Sequence, residues 1–574
     1  MPHKKWWQSA VFYQIYPRSF ADSNDDGIGD LVGIIQKLDY LKNLGINVIW
    51  LSPHYPSPLF DCGYDVIDYL SVAPEYGTID DFKNFLSEAH KRDIRVVTDF
   101  VLNHTSNLHP WFIKSRSSRD NPKRDWYIWR DGRFGGPPNN WCADFESSAW
   151  EYDPLTDQYY YHFFFHTQPD LNWRNPEVKK AIFHAMQFWL DLGVDGFRLD
   201  AVDTLFEDPE FRDHDALLSH SELYHKSMKT YPELPDDPYL AEQRQRMFAR
   251  QQILPEAHQL LKELRVMIEQ YPNRVLIGET DDVSFLGNGS DELHLTFNFQ
   301  LMRTSNLTTK WIHQNHYEQW KKLPHGSWLC NTFGNHDSSR VASRFAANNQ
   351  AILPLLAAIT LLLPGIPFLY YGEEIGMTDN TLISLEEFKD QLALWMYQTE
   401  INMFNASLAK AFDAAVIYGR DKCRTPMQWN RQPNAGFCPA GVLPWLPPNP
   451  DYIQNTNVET QQNQPNSLWH MYQSLIQLRK KMPVLIFGEY EELKLDQPSC
   501  FAFFRKGDEE TCMVVFNMSD QPLDINLRIP GKWKCLFSTT QHNDSIITPN
   551  VLGLQPYEVI VVELVSQKNN LIVR

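Results

Sequence analysis

The stretch VDGFRLDAV, residues 194–202, decides the reading of this chain. It is a short apolar run, and Arg198 and Asp200 sit two residues apart near its C-terminal end. On a strand, such a pair leaves the same face. The preceding stretch, PEVKKAIFHAMQFWLDLG (176–193), has helical spacing and ends on glycine, so a helix feeds this strand. The same rhythm extends both ways. Upstream, VFYQIYP (11–17), NVIWLSP (47–53) and IRVVTDFVLNH (94–104) read as strands, with helical segments at 33–45 and 80–93 between them. Downstream come RVLIGE (274–279), ELHLTFNF (292–299), WLCNTFGN (328–335) and IPFLYYG (366–372), with mostly helical sequence over 205–271.

Eight β-runs in alternation with helices predict an α/β fold, a (β/α)8 TIM barrel. A doubly wound sheet is the alternative, but it would carry a glycine-rich phosphate turn after its first strand, and none is present. Residues 105–171 break the rhythm and are rich in Trp, Asn, Pro and Gly; they read as a small domain inserted after strand 3. The barrel is then 1–104 plus 172–486, with a long excursion over 376–460. From 487 to 574 short alternating runs (SCFAFFRKG, ETCMVVFNMS, LDINLRI, VIVVELV) predict a C-terminal all-β sandwich domain.

The 574 residues carry a net charge of −19, which argues against nucleic acid or an anionic membrane surface as partner. The longest apolar stretch, 357–371, is split by Pro364 and Pro367 and is too short to span a bilayer. Eight scattered cysteines with no CxxC pair suggest thiols in a reducing compartment, and the N-terminal stretch has no apolar leader core, so a cytoplasmic location is expected. The oligomeric state, monomer or homodimer, is left open.

Three carboxylates end the apolar runs: Asp200, Glu279 and Asp337. In a parallel barrel those ends converge on one face. Converging acids without a serine or thiol nucleophile motif suit acetal cleavage, and the 18 Trp, 25 Tyr and 34 Phe include flat faces of the kind that sugars stack on. An Arg beside Asp200 is expected to keep it ionised.

Here the chain resembles the α-amylase family of glycoside hydrolases (family 13), and within it the oligo-1,6-glucosidase/α-glucosidase group. DFVLNH (99–104), GFRLDAV (196–202), IGET (277–280) and FGNHD (333–337) carry the resemblance. QPDLN (168–172), LYYGEEIGM (369–377), RTPMQW (424–429) and NAGF (434–437) add to it. The resemblance implies a retaining mechanism with Asp200 as nucleophile, Glu279 as acid/base and Asp337 as transition-state stabiliser. It also implies that His104, Arg198 and His336 donate to sugar hydroxyls, that Tyr64 stacks under the first glucose, and that Phe145, Phe164 and Gln168 line the inserted-domain side. Asp61 is expected to pair with Arg424 and close the pocket floor, making the enzyme exo-acting. Asp99 is expected to support the site from behind.

Ala201 resembles the α-1,4-preferring members, where α-1,6-preferring ones have Val. The implied activity is release of terminal α-1,4-linked glucose from maltose and short malto-oligosaccharides. α-1,6-Glucosidase, sucrose hydrolase or isomerase, trehalose synthase and glucosyltransferase are alternatives on the same fold, and a non-catalytic scaffold is a further one. The loop DSNDDGIGD (22–30) places oxygens of Asp22, Asn24, Asp26, the Ile28 carbonyl and Asp30 at alternate positions, which suits one structural Ca²⁺ or Mg²⁺. Asp25 stands where similar loops have Gly, and no organic cofactor is expected. The segment after IGET, 281–295, is shorter than in many relatives and flanks the acceptor side.

Overall fold

The computed structural model describes residues 4–227, 237–304, 307–346, 349–527, 529–540, 546–547 and 551–566. In chain order the strands are β1 (Phe12–Ile15), β2 (Val48–Leu51), β3 (Arg95–Val101), β4 (Trp129–Arg130), β5 (Trp150–Asp153), β6 (Gln158–Tyr161) and β7 (Gly196–Asp200). Then come β8 (Val275–Gly278), β9 (Leu295–Asn298), β10 (Trp328–Asn331) and β11 (Ile366–Tyr370). β1, β2, β3, β7, β8, β9, β10 and β11 close in that order into a parallel barrel. The eight predicted strands are all present, each shorter than the run that announced it. Those runs continue past the last ladder bond into the loops that carry the acids.

The helix Pro176–Leu192 shows how local chemistry delivers one of these strands. Asn175 caps its first turn, Pro176 opens it, and Gly193 ends it in the left-handed region at φ 109°. β7 then starts on Gly196, where a Cβ would meet the Val275 carbonyl oxygen at 2.3 Å, so only glycine lets β7 and β8 approach. Between β3 and β7, Asp99 lies opposite Arg198 and Val101 opposite Asp200. Side chains alternate, so this register stacks the charged residues on the barrel interior near its C-terminal mouth. Below them Trp50, Val97, Ile277, Phe297 and Phe368 fill the barrel.

β4, β6 and β5 form a separate three-stranded sheet within the segment between β3 and β7. Backbone bridges from His104 to Asp170 and from Tyr127 to Leu171 tie its two ends together. The helical stretch expected at 33–45 is two helices, Leu31–Gln36 and Leu38–Leu44, broken at Lys37. The described part of 205–271 holds the helices His220–Ser227, Pro238–Phe248 and Pro255–Ile268; residues 228–236 lie outside the described residues.

The remaining strands are β12 (Glu489–Glu492), β13 (Cys500–Lys506), β14 (Thr511–Asn517), β15 (Leu523–Ile525), β16 (Lys532–Ser538), β17 (Ile546–Ile547), β18 (Leu552–Leu554) and β19 (Val559–Ser566). They make a six-stranded sheet, β12-β13-β14-β19-β16-β17, and a two-stranded one, β15-β18, with a core of their own between them. Among the described residues no helix is long and apolar enough to cross a membrane, and no disulfide joins the cysteines.

Candidate active site

The barrel mouth opens into a cavity of about 690 Å³. Asp61, Tyr64, His104, Phe145, Phe164, Asp200, Ala201, Glu279 and Asp337 line it, so nine of the residues expected from sequence share one wall system. Gln168, Arg198, His336 and Arg424 are buried just behind that lining, each bonded to a residue that faces the cavity.

Arg198 holds one half of the site. Its Nη1 lies 2.8 Å from Asp99 and 2.6 Å from Asp200, and its Nη2 lies 2.5 Å from Glu279. Glu279 also accepts the Ala201 N–H at 3.0 Å. Ala201 adopts φ 46° to offer it. One cation thus serves three acids, two buried and one, Glu279, partly open to the cavity. The expectation that Arg198 simply keeps Asp200 ionised is corrected by that count. Burial raises Asp200 first, the neighbouring Glu279 adds to it, and Arg198 only partly offsets them, so Asp200 sits well above the usual carboxylate range. Asp99 is pushed up to about 6, again mainly by burial, with Arg198 opposing. Burial and mutual repulsion therefore both work against full ionisation of the cluster.

The other half is built on cations. Asp337 Oδ1 receives Arg424 Nη2 at 2.7 Å and Arg420 Nη1 at 3.3 Å, while His336 Nε2 is 3.1 Å from Oδ2. Burial alone would raise Asp337, but the surrounding arginines, with the His336 edge beside Oδ2, outweigh it and hold it well below the usual range. The expected partner of Asp61 is corrected here as well. Asp61 Oδ1 pairs with Arg420 Nη2 at 2.8 Å, not with Arg424, and its Oδ2 accepts from Gln168 at 2.9 Å. Arg424 is spent on Asp337 and on the His336 carbonyl, at 2.7 Å each. Both arginines lie in GRDKCRTPMQW, four residues apart, and spacing does not choose between them. The choice comes from Asp390, which binds Arg420 through both oxygens at 2.8 and 2.9 Å and turns it toward Asp61.

Tyr64 stacks face to face on His336 at 5.1 Å and its hydroxyl meets His336 Nε2 at 2.6 Å. His336 is fully buried and, by that burial, held neutral. His104 is likewise driven down to about 3 by burial and receives Gln168 at 2.9 Å. Phe164 packs edge-on to His104 and tilts against Phe145 at 5.6 Å.

Beyond Glu279, Asp203, Asp281, Phe299 and Arg303 continue the lining. Asp281 pairs with Arg303 at 2.8 Å. Burial, helped by Glu279 and Asp281, pushes Asp203 up to about 7. Sequence reasoning missed Arg420, Asp390 and Asp203. Only for Asp203, three residues after Asp200 in the strand-7 loop, did a local signal exist.

The loop 22–30 closes on itself. Asp22 accepts the N–H groups of Asn24, Asp25 and Gly27, Asp26 accepts that of Ile28, and Asp30 accepts from Ser23 and caps the next helix at Gly33. Asp25 takes up φ 65° where the loop's usual Gly would sit. Among the described residues no group of three or more His, Cys, Asp or Glu side chains is arranged to hold a metal ion.

The chain from 14 to 488 matches the alpha amylase catalytic domain, and 490–563 matches the alpha amylase C-terminal all-beta domain. The chain belongs to the α-amylase family. It is a glycoside hydrolase with glucosidase relatives along nearly its whole length. The oligo-1,6-glucosidase of Parageobacillus thermoglucosidasius is 38% identical over 97% of this chain and 99% of its own. The α-glucosidase of Pediococcus pentosaceus is 38% identical over 98% and 99%. Among solved structures, the trehalulose synthase MutB from Pseudomonas mesoacidophila MX-45 superposes with a TM-score of 0.86 at 35% identity, covering 98% of this chain and 100% of that one. For this member of the α-amylase family, the acid-rich and cation-rich halves of the barrel mouth are the parts to which chemistry must be assigned.

Proposed function

We propose that this family member is a retaining, exo-acting α-glucosidase that releases terminal α-1,4-linked glucose from maltose and short malto-oligosaccharides. The single observation that carries the reading is the buried pair Asp61–Arg420 in the cavity lining, tied to Asp337 and Asp390, which we read as a charged wall at one end. A chain end fits against such a wall; an internal stretch of polysaccharide does not.

Asp200 acts as nucleophile on the anomeric carbon and Glu279 protonates the departing oxygen, then activates water for the second displacement. Two carboxyls held by the two amino groups of one guanidinium support the separation of about 5–5.5 Å that a double displacement uses, rather than the wider gap of inversion. Asp200 and Glu279 share Arg198 in the free enzyme. Burial and the neighbouring Glu279 carboxyl disfavour the charged form of Asp200. Asp337, charged throughout, accepts from the sugar hydroxyls and stabilises the oxocarbenium-like transition state. Tyr64 and His336 form its stacked floor, and Phe145 and Phe164 face the inserted-domain side.

Ala201 supports the α-1,4 preference: its small side chain leaves room beside the nucleophile. The relatives named oligo-1,6-glucosidases favour isomaltose as the second reading. Initial rates on maltose, isomaltose, sucrose and trehalose, with products separated by chromatography, test both. Glucose from maltose at the highest kcat/KM, and a loss of roughly tenfold or more on maltose in Ala201→Val, is the expected result. Faster isomaltose hydrolysis, or products of transfer or isomerisation, would overturn it.

For the loop 22–30, a structural Ca²⁺ or Mg²⁺ on Asp22, Asn24, Asp26, the Ile28 carbonyl and Asp30 is part of the same proposal. The oxygens are of the kind such ions take, with lone pairs left beyond the backbone bonds. No catalytic step runs through it. The melting temperature should rise with added CaCl2 or MgCl2 and fall with EDTA; no change with any of them would count against the ion.

A further inference from the structure

Gln14 is a buried amide on β1 that touches neither the cavity nor any of the three acids. Its Nε2 lies 2.8 Å from His336 Nδ1 and donates to Ser52 Oγ at 3.0 Å. Its Oε1 has no hydrogen-bond partner among the described residues. A buried amide that leaves its acceptor unmet in order to present its donor side needs a reason.

His336 supplies that reason. The ring is fully buried and neutral, so it carries one proton, on one of its two nitrogens. Its Nε2 stands 3.1 Å from Asp337 Oδ2, an ionised carboxylate that can only accept. A bare Nε2 there would set lone pair against anion. The Tyr64 hydroxyl, 2.6 Å from the same nitrogen, donates its own proton to Asp99 and is free to accept, so the proton sits on Nε2 and leaves Nδ1 bare. A bare Nδ1 needs a donor, and the amide NH2 of Gln14 is the group that faces it.

We infer that Gln14 is a positioning residue for the glycosidase reaction: it fixes His336 as the Nε2–H tautomer, so that the ring's only proton points at Asp337 and the sugar-binding side. The ring lies between two tyrosines, Tyr64 at 5.1 Å and Tyr16 at 6.2 Å, both nearly parallel to it. Stacking sets its plane, but stacking is blind to which nitrogen is protonated. Only an edge contact reads the tautomer. Ser52 in turn holds the amide from the start of the loop after β2, so the second barrel strand also takes part in orienting a ring that belongs to the loop after the tenth.

Two variants test this. Gln14→Met keeps the length and removes the donor. Gln14→Glu keeps the shape and offers only acceptors, which favours a proton on Nδ1 and makes a doubly protonated ring accessible between two carboxylates. The expected result is a fall in kcat of about 10- to 100-fold in Gln14→Met, with KM changed less and the melting temperature within a few degrees of the parent, and the larger loss in Gln14→Glu. Gln14→Glu should also add an ionisation to the pH profile of kcat/KM that the parent lacks. Selective ¹⁵N-histidine labelling reads the tautomer directly, with the His336 signals identified from a His336→Gln control. The parent should show a protonated Nε2 and bare Nδ1, and Gln14→Glu a protonated Nδ1.

Kinetics within twofold of the parent in both variants, a loss that simply tracks the melting temperature, or a parent spectrum with the proton on Nδ1 would each overturn the assignment. The kinetic arms rest on the α-glucosidase reading, whereas the spectrum needs no substrate. A correct tautomer in a protein inactive on α-glucosides would sink the function and leave the positioning role standing.

Discussion

The two halves of the barrel mouth use similar residues to opposite ends. On the β3–β7–β8 side, Arg198 faces Asp99, Asp200 and Glu279. On the β10 side, Arg420 and Arg424 both reach Asp337 Oδ1, with His336 at Oδ2. In each half the cations and all but one acid are buried, while Glu279 in the first and Asp337 in the second stay partly open to the cavity. What differs is the ratio of cations to acids, and it reverses the direction in which the acids titrate. The acid-rich half resists full ionisation; the cation-rich half keeps a negative charge for the transition state to lean on.

The largest break in this comparison is Asp200→Asn. It should lower kcat by on the order of 10⁴-fold or more, since a nucleophile cannot be replaced by its neighbours. Because it removes a charge from a half that already has too many, the melting temperature at pH 7 should hold or rise. Residual hydrolysis above about 1% of the parent would count against Asp200 as nucleophile, and a large thermal loss against the overcrowding argument.

On the other half the sign inverts. Arg420→Ala strips the partner from Asp61 and Asp390 at once, and breaking such a buried pair costs about 3–5 kcal/mol. KM for maltose should rise at least tenfold and the melting temperature should fall, where Asp200→Asn loses only activity. Near-parental KM would show that the wall at the end of the cavity plays no part in binding.

The smallest effect sharpens the comparison through pH. Asp203, on the acid-rich side, is raised from 3.8 to about 7. Its stability contribution is full below pH 3.8 and lost as pH rises through 7. Asp203→Asn should therefore gain stability over the parent progressively from pH 4 to pH 8. Asp337 is depressed, so its contribution is present above the unfolded value and lost as pH falls through the folded one. Asp337→Asn should be destabilised at pH 7 and approach the parent under acid conditions. Thermal melts at pH 4, 6 and 8 give the Asp203 slope, and melts from pH 4 downward give the Asp337 slope; slopes of the same sign would refute the charge-ratio account.

Much of this was legible from spacing. Arg198 and Asp200, two apart on a strand, share a face whatever surrounds them, and each apolar run announced its strand even where the ladder stopped early at Asp200 or Gly278. The alternation of runs and helices implied the barrel, and the barrel implied that Asp200, Glu279 and Asp337 meet. The misreadings have one physical cause. Arg420 and Arg424 are equivalent in sequence, but Asp390, some thirty residues away, binds one and leaves the other for Asp337. Asp200 looked ionised beside its arginine because proximity in sequence reveals one neighbour, whereas a pKa sums over all of them. Gln14 gave no signal, because an amide on a first strand acquires meaning only when a ring from the tenth strand's loop arrives beside it.

The sequence by itself determined the order of strands, the acids at their ends and the family, because these depend on local periodicity and on motifs read along the chain. The tertiary structure alone decided which cation serves which acid, in which direction each acid is shifted and which nitrogen of His336 carries its proton, because each depends on the sum of charges and donors that folding gathers from distant segments.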